Sequence, residues 1–240
     1  MRLENEPVKP IEPVKKKMQP WLKRLIWTIS IVLVLVIGIG STGLVNIPII
    51  SSIFGVNQPK DLGIKASPEA LASIQKKMPV EITGGPLGLC LACKQTYEGK
   101  ISVNARRTSE ELTSFLQLFP RESGDILKNT QVRFIEGGLE ISTKLNKYTS
   151  APVYVKVMVN RTGAKTVALN IVDGKVGAFS VPDKYKKQAE EFFTKLANDH
   201  LAEIDGFSMD KLEYHDGYSD FVGTYPKTVK PAPGKWTEAF

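Results

Sequence analysis

Apolar positions along this chain change period twice. From Leu25 to Leu44 (LIWTISIVLVLVIGIGSTGL) they are nearly continuous, and no charged residue occurs between Arg24 and Lys60. About 20 such residues rising about 1.5 Å each cover the ~30 Å hydrocarbon core of a bilayer. A helix meets its own backbone hydrogen bonds there, so the pattern predicts a transmembrane segment. Val45 to Val56 (VNIPIISSIFGV) stays apolar, but Asn46 and Pro48 interrupt it. Proline breaks or kinks a continuing helix, so this piece is expected to leave a bilayer along its surface or to pack beneath the next domain.

The next stretch has a helical period. Ser67 offers an N-cap, Pro68 suits the first helical position, Glu69 complements the dipole, and Leu71, Ile74 and Met78 recur at helical spacing. Thr108, Ser109, Glu110, Glu111, Leu112, Phe115 and Leu116 repeat the formula. Laid side by side, ASPEALASI (66–74) and RTSEELTSF (107–115) pair Ser67 with Thr108, each after a short extended stretch, DLGIK and KISVNA. Duplication accounts for this match, and so does capping chemistry alone. A longer helix is predicted from Pro182 to a stop at Gly206. Tyr185, Ala189, Phe192, Phe193, Leu196, Ala197, His200 and Ile204 share one face, and Lys184, Lys187, Glu191, Lys195 and Asp199 take the other. At about 23 residues it runs about 34 Å, the length of a strand of about ten residues.

Around that helix the period is two. Gln131 to Glu136 and Leu139 to Leu145 flank Gly137-Gly138, and Val153, Val155, Val157 and Val159 share one face of Val153 to Arg161. Two further hairpins are predicted, Thr166 to Val172 with Lys175 to Val181 about Asp173-Gly174, and Phe207 to His215 with Tyr218 to Tyr225 about Asp216-Gly217. The expected fold class is therefore α+β: a transmembrane helix, two shorter helices, then a bent antiparallel meander sheet wrapped on one long amphipathic helix. The expected organisation is a disordered basic stub over 1–24, the anchor over 25–44, an apolar juxtamembrane segment over 45–59, the α+β domain over 60–226 and a flexible tail over 227–240.

Charge sets the orientation and removes one function class. Residues 1–24 carry seven Lys and Arg against three acids, so +4 of the formal +7 lies before the apolar run, and the remainder is 25 against 22. The positive-inside rule keeps the stub in the cytoplasm and sends the domain across the plasma membrane, with Trp21 and Trp27 near the inner boundary. A cleaved signal peptide, with small residues at Gly38, Gly40, Ser41 and Gly43, puts the domain on the same side. Opposite charges are interspersed through the domain, so no nucleic-acid footprint is expected.

Candidate chemistry is sparse. Cys90 and Cys93 are the only cysteines, and outside the cytoplasm they could form a local disulfide, stay free and buried, or act as a redox pair. The loop-like Gly84-Gly85-Pro86-Leu87-Gly88 before them argues against a thioredoxin-like motif. His200 and His215 are the only histidines and do not stand at a zinc-finger spacing from the cysteines. Glu110 and Glu111 are explained as first-turn acids. No nucleophile with a base nearby, phosphate loop or dense acidic site is present in the sequence, so neither an enzyme nor a cofactor or metal is expected.

The basic stub and single anchor, the Thr-Ser-Glu-Glu-Leu helix start at 108–112, the hairpins, and Gly-Lys-Val-Gly-Ala-Phe-Ser-Val-Pro (174–182) leading into a long helix resemble the YpmS-like membrane-anchored proteins. These in turn resemble the tubular lipid-binding superfamily, over roughly residues 100–226 here. The resemblance implies a membrane lipid as partner, bound in an apolar groove between sheet and long helix. Groove candidates are Val155, Val157, Ile171, Val176 and Phe179 from strands and Phe192, Phe193, Leu196, His200 and Ile204 from the helix. For any one of them, filling a closed core is the favoured reading, because apolar stripes at these periods are how domains pack. A non-enzymatic envelope scaffold that binds another protein, and a Cys90/Cys93 redox protein, are the alternative functions.

Overall fold

The structure, a computed structural model, describes residues 30–35, 58–83, 95–119, 129–144 and 151–230. Residues 30–35 are helical and belong to a first unit, Met1–Gly38, whereas the other described residues belong to a second, Ile39–Phe240. Among the described residues no helix is long and apolar enough to cross a membrane. The stub over 1–24 lies outside them, as do the expected span except 30–35, the juxtamembrane segment except 58 and 59, and Cys90 with Cys93.

The second unit begins with two capped helices. In α1 (Pro68–Lys77) the Ala70 N–H donates to the Ser67 hydroxyl at 3.1 Å, with Pro68 in the first turn and Lys76 and Lys77 in the last. α2 (Ser109–Leu118) carries a full capping box: Glu111 N–H donates to Thr108 Oγ1 at 3.2 Å and Thr108 N–H donates to Glu111 Oε2 at 2.9 Å. Each such cap stabilises a helix by about 1 kcal/mol. The two helices pack on one another, and the Ser67 N–H donates to Ser114 Oγ at 2.9 Å. Only the second has a strand before it, because 61–67 is irregular.

Strands fall into three sheets instead of one. β4 (Gln131–Ile135), β5 (Gly138–Lys144), β6 (Pro152–Arg161), β7 (Val167–Val176) and β8 (Phe179–Ser180) form an antiparallel meander. β3 (Ile101–Thr108), β10 (Tyr218–Tyr225) and β9 (Ser208–His215) form a second, with β10 central. β1 (Glu81–Ile82), β11 (Thr228–Lys230) and β2 (Thr96–Glu98) form a third, in which β1 and β11 run parallel. Thr228 to Lys230, expected in a flexible tail, is thus the middle strand of that sheet.

Two of the three expected hairpin turns stand where the sequence puts them, with Gly137 at φ +73° and Gly217 at φ +85°. The third moves. Asp173 and Gly174 stay inside β7, opposite Lys156 and Val155, and the chain turns at Gly177, where φ is +59°. β6 still offers partners there: Val153 pairs with Val176, and the Gly177 N–H donates to Pro152 O at 2.8 Å. A bulge adds Val172 opposite the Lys156–Val157 step, so the strand absorbs the Asp-Gly pair.

α3 (Asp183–Glu203) lies along β7. The Val167, Leu169 and Ile171 N–H groups donate to Asn198 Oδ1 (2.8 Å), Thr194 Oγ1 (3.2 Å) and Glu190 Oε2 (3.0 Å). Four helical residues rise about 6 Å and two strand residues about 6.6 Å, so a polar stripe at 190, 194 and 198 keeps step with alternate amides of the strand. The helix thereby covers an otherwise open edge. No α3 residue is fully buried, and Tyr185, Phe192 and Phe193, expected to face the core, are 58%, 53% and 49% exposed. Only Ala197 and Leu201, with Ile204 just beyond, pack on the core of Val103, Ala105, Val157, Val159, Val167, Phe207, Met209 and Phe221.

Candidate functional site

The end of β3 sends two adjacent arginines to opposite sides. Val103 and Ala105 are buried, and the two-residue period continues inward to Arg107 and outward to Arg106. Arg106 is fully partnered: Nε and Nη2 donate to Asp220 at 2.9 and 3.1 Å, and its guanidinium lies 4.0 Å over the Tyr218 ring. Arg107 stands 5.3 Å over the Phe221 ring, and its charge acts on the Tyr225 hydroxyl. It forms no ion pair among the described residues, and its Nε is buried without a hydrogen-bond partner.

Arg107 opens into a half-enclosed apolar cleft of about 530 Å³. Ile74 of α1 and Met78 at its C-cap form one wall, Leu112 and Phe115 of α2 with Phe119 another, and Ile82 and Val229 line it from the third sheet, with Val80 just before β1. Phe134 contributes from β4, and His200 and Ile204 from the C-terminal end of α3. The Nδ1 of His200 is the second buried polar atom here without a partner. Burial pushes the phenols of Tyr97 and Tyr225 above their ordinary value, with Glu203 adding to the shift at Tyr97 and Arg107 offsetting part of it at Tyr225. Both stay neutral hydroxyls at physiological pH. The cleft can therefore hold an apolar body and offer a guanidinium, an imidazole and phenolic hydroxyls to a polar end.

Of the groove candidates, the cleft brings together His200 and Ile204 alone. Val157 is buried in the core, Val155 and Ile171 pack against it, and Val176 and Leu196 are half-buried. Phe179, Phe192 and Phe193 are exposed, the last two with rings edge-on at 5.3 Å. In the sequence Arg107 stands just before the Thr108 cap, a position that carries no site signal of its own. Continuing the Val103-Ala105 alternation by one step was the signal that could have found it.

A polar junction ties α1 to α2. Glu111, 4% exposed, accepts from Lys77 Nζ at 2.6 Å and from the Ser73 hydroxyl at 2.5 Å, besides the Thr108 N–H. Burial alone pushes its carboxyl up, but the Lys77, Ser73 and Thr108 bonds together hold it below its ordinary value. Glu110 accepts from the Ser67 hydroxyl at 2.9 Å. Glu213, His215 and Asp220 also gather, with ligand atoms within 4.8 Å of one another. Lys211 and Arg106 already engage both carboxylates, which makes this a surface ion-pair network.

No protein-family model, curated protein or solved structure matches the chain.

Proposed function

We propose that this chain is a single-pass, membrane-anchored protein whose extracytoplasmic α+β domain binds or handles a lipid, without enzymatic turnover. The observation that carries the reading is the apolar cleft of about 530 Å³ with Arg107 and His200 in its wall. An acyl chain leaves a bilayer only where protein replaces its apolar surroundings, at about 0.8 kcal/mol per buried methylene. The charge-free run from 25 to 59 supports the anchor, as do the exposed side chains of Ile31, Val32, Leu33, Val34 and Leu35 on helical backbone. The resemblance to the tubular lipid-binding superfamily points the same way, with one difference. A groove between sheet and helix would run along β7, whereas the apolar volume lies at the C-terminal end of α3.

Mass spectrometry of lipids retained by the purified full chain tests the reading. A lipid is expected at near-stoichiometric yield and should be lost from Leu112→Trp, which fills the cleft. Retention no greater than that of an unrelated single-pass protein would defeat it. The exposed Tyr185, Phe192 and Phe193 favour the second reading, a scaffold that binds an envelope protein through α3. A partner cross-linking to α3 from a chain that carries no lipid would decide for it.

A further inference from the structure

We infer that the cleft takes a long-chain fatty acid, a single-chain amphiphile with a monoanionic carboxylate head, and that Arg107 selects that head. This rests on the lipid-binding reading and deepens it. A guanidinium is always charged, and buried charges and buried N–H groups are paired in native proteins. The contrast with other cations of this chain is direct: Arg106 is held by Asp220, Lys77 by Glu111, Lys186 by Asp183 and Lys211 by Glu213. Arg107 alone of these faces an apolar cleft, with a buried Nε that lacks an acceptor among the described residues. Glu203 acts on Tyr97 from the exposed end of α3 and forms no ion pair with Arg107.

Charge and volume narrow the ligand further. One guanidinium matches the two oxygens of a carboxylate in a forked geometry. A phosphate monoester brings about −1.5 to −2 charges and three acceptor oxygens, more than one cation and a few neutral donors compensate. At about 530 Å³ the cleft lies within the size range of small-ligand pockets and matches a single acyl chain with its head.

The test uses the full chain reconstituted in vesicles at alkaline pH, where the acid is ionised, with photoactivatable 16-carbon fatty acid, the matching fatty alcohol and a diacyl phospholipid as probes. Labelling of α1, α2 and the end of α3 by the fatty acid should exceed that by the alcohol on the order of tenfold, the worth of a hydrogen bond to a charged group. Arg107→Gln should bring the acid down to the alcohol's level. Equal labelling of the wild-type chain by acid and alcohol, or stronger labelling by the phospholipid, overturns this inference and leaves the lipid reading standing. Labelling by none of the three overturns both. The wild-type ratio stands as a test even where Arg107→Gln fails to fold.

Discussion

α1 and α2 contribute to two regions of opposite character. In one, Ser73, Lys77 and Thr108 leave the Glu111 carboxylate fully bonded, and Lys77 also donates to the Arg106 carbonyl at 2.8 Å. In the other, Ile74, Met78, Leu112 and Phe115 face a cleft that Arg107 and His200 also line, and the buried Arg107 Nε and His200 Nδ1 have no partner among the described residues. The same pair of helices thus carries a closed polar junction and an open apolar site. Buried charge that is satisfied holds elements together, whereas buried charge left unsatisfied is retained at a cost to stability. The second case marks the region where function is to be sought.

Breaking the junction should have the largest effect. Glu111→Ala removes a capping box and leaves Lys77 with only the Arg106 carbonyl, so a loss of about 3 kcal/mol is expected in denaturant unfolding. A loss below about 1 kcal/mol would mean that the junction contributes no more than a surface pair. The pH dependence is the next test. Because the folded carboxyl lies below its ordinary value, the unfolded chain binds the proton first as pH falls. The Glu111 contribution is therefore complete above the ordinary carboxylate range and disappears as pH drops through the folded value. Glu111→Gln should flatten that part of the acid limb of a stability profile, and an unchanged limb would assign it to other carboxylates.

The smallest expected effect has the opposite sign. Arg107→Met keeps the apolar volume and removes the cation, so stability should rise by about 1 kcal/mol. A fall of more than about 1 kcal/mol would show that Arg107 belongs to the structural class of Glu111. The comparison would then collapse.

Local chemistry was legible wherever neighbours in sequence are neighbours in space. Ser67 and Thr108 cap their helices as their types and flanking residues require, and Gly137 and Gly217 take the positive φ their hairpins need. Asp173-Gly174 failed for a non-local reason: β6 still had partners to offer, so pairing overrode turn preference. The α3 stripe failed similarly. Its aromatic positions were assigned to the core by periodicity, but the open edge of β7 recruited Glu190, Thr194 and Asn198, which turned Tyr185, Phe192 and Phe193 outward.

The cleft was legible only in pieces. Ile74, Met78, Leu112 and Phe115 read correctly as apolar helix faces, yet periodicity reports that a face turns away from water and not what it meets. By itself the sequence determined the capped helices, two of the hairpins, the α+β class and the charge-free run from 25 to 59, because short-range sterics, hydrogen bonding and hydropathy decide each of these. Tertiary structure alone decided that β1 and β11, about 150 residues apart, would pair. It also decided that α3 would seal a strand edge and that Arg107 would end in an apolar cleft with no carboxylate opposite it among the described residues. Those outcomes depend on which distant surfaces meet, and no local preference encodes that.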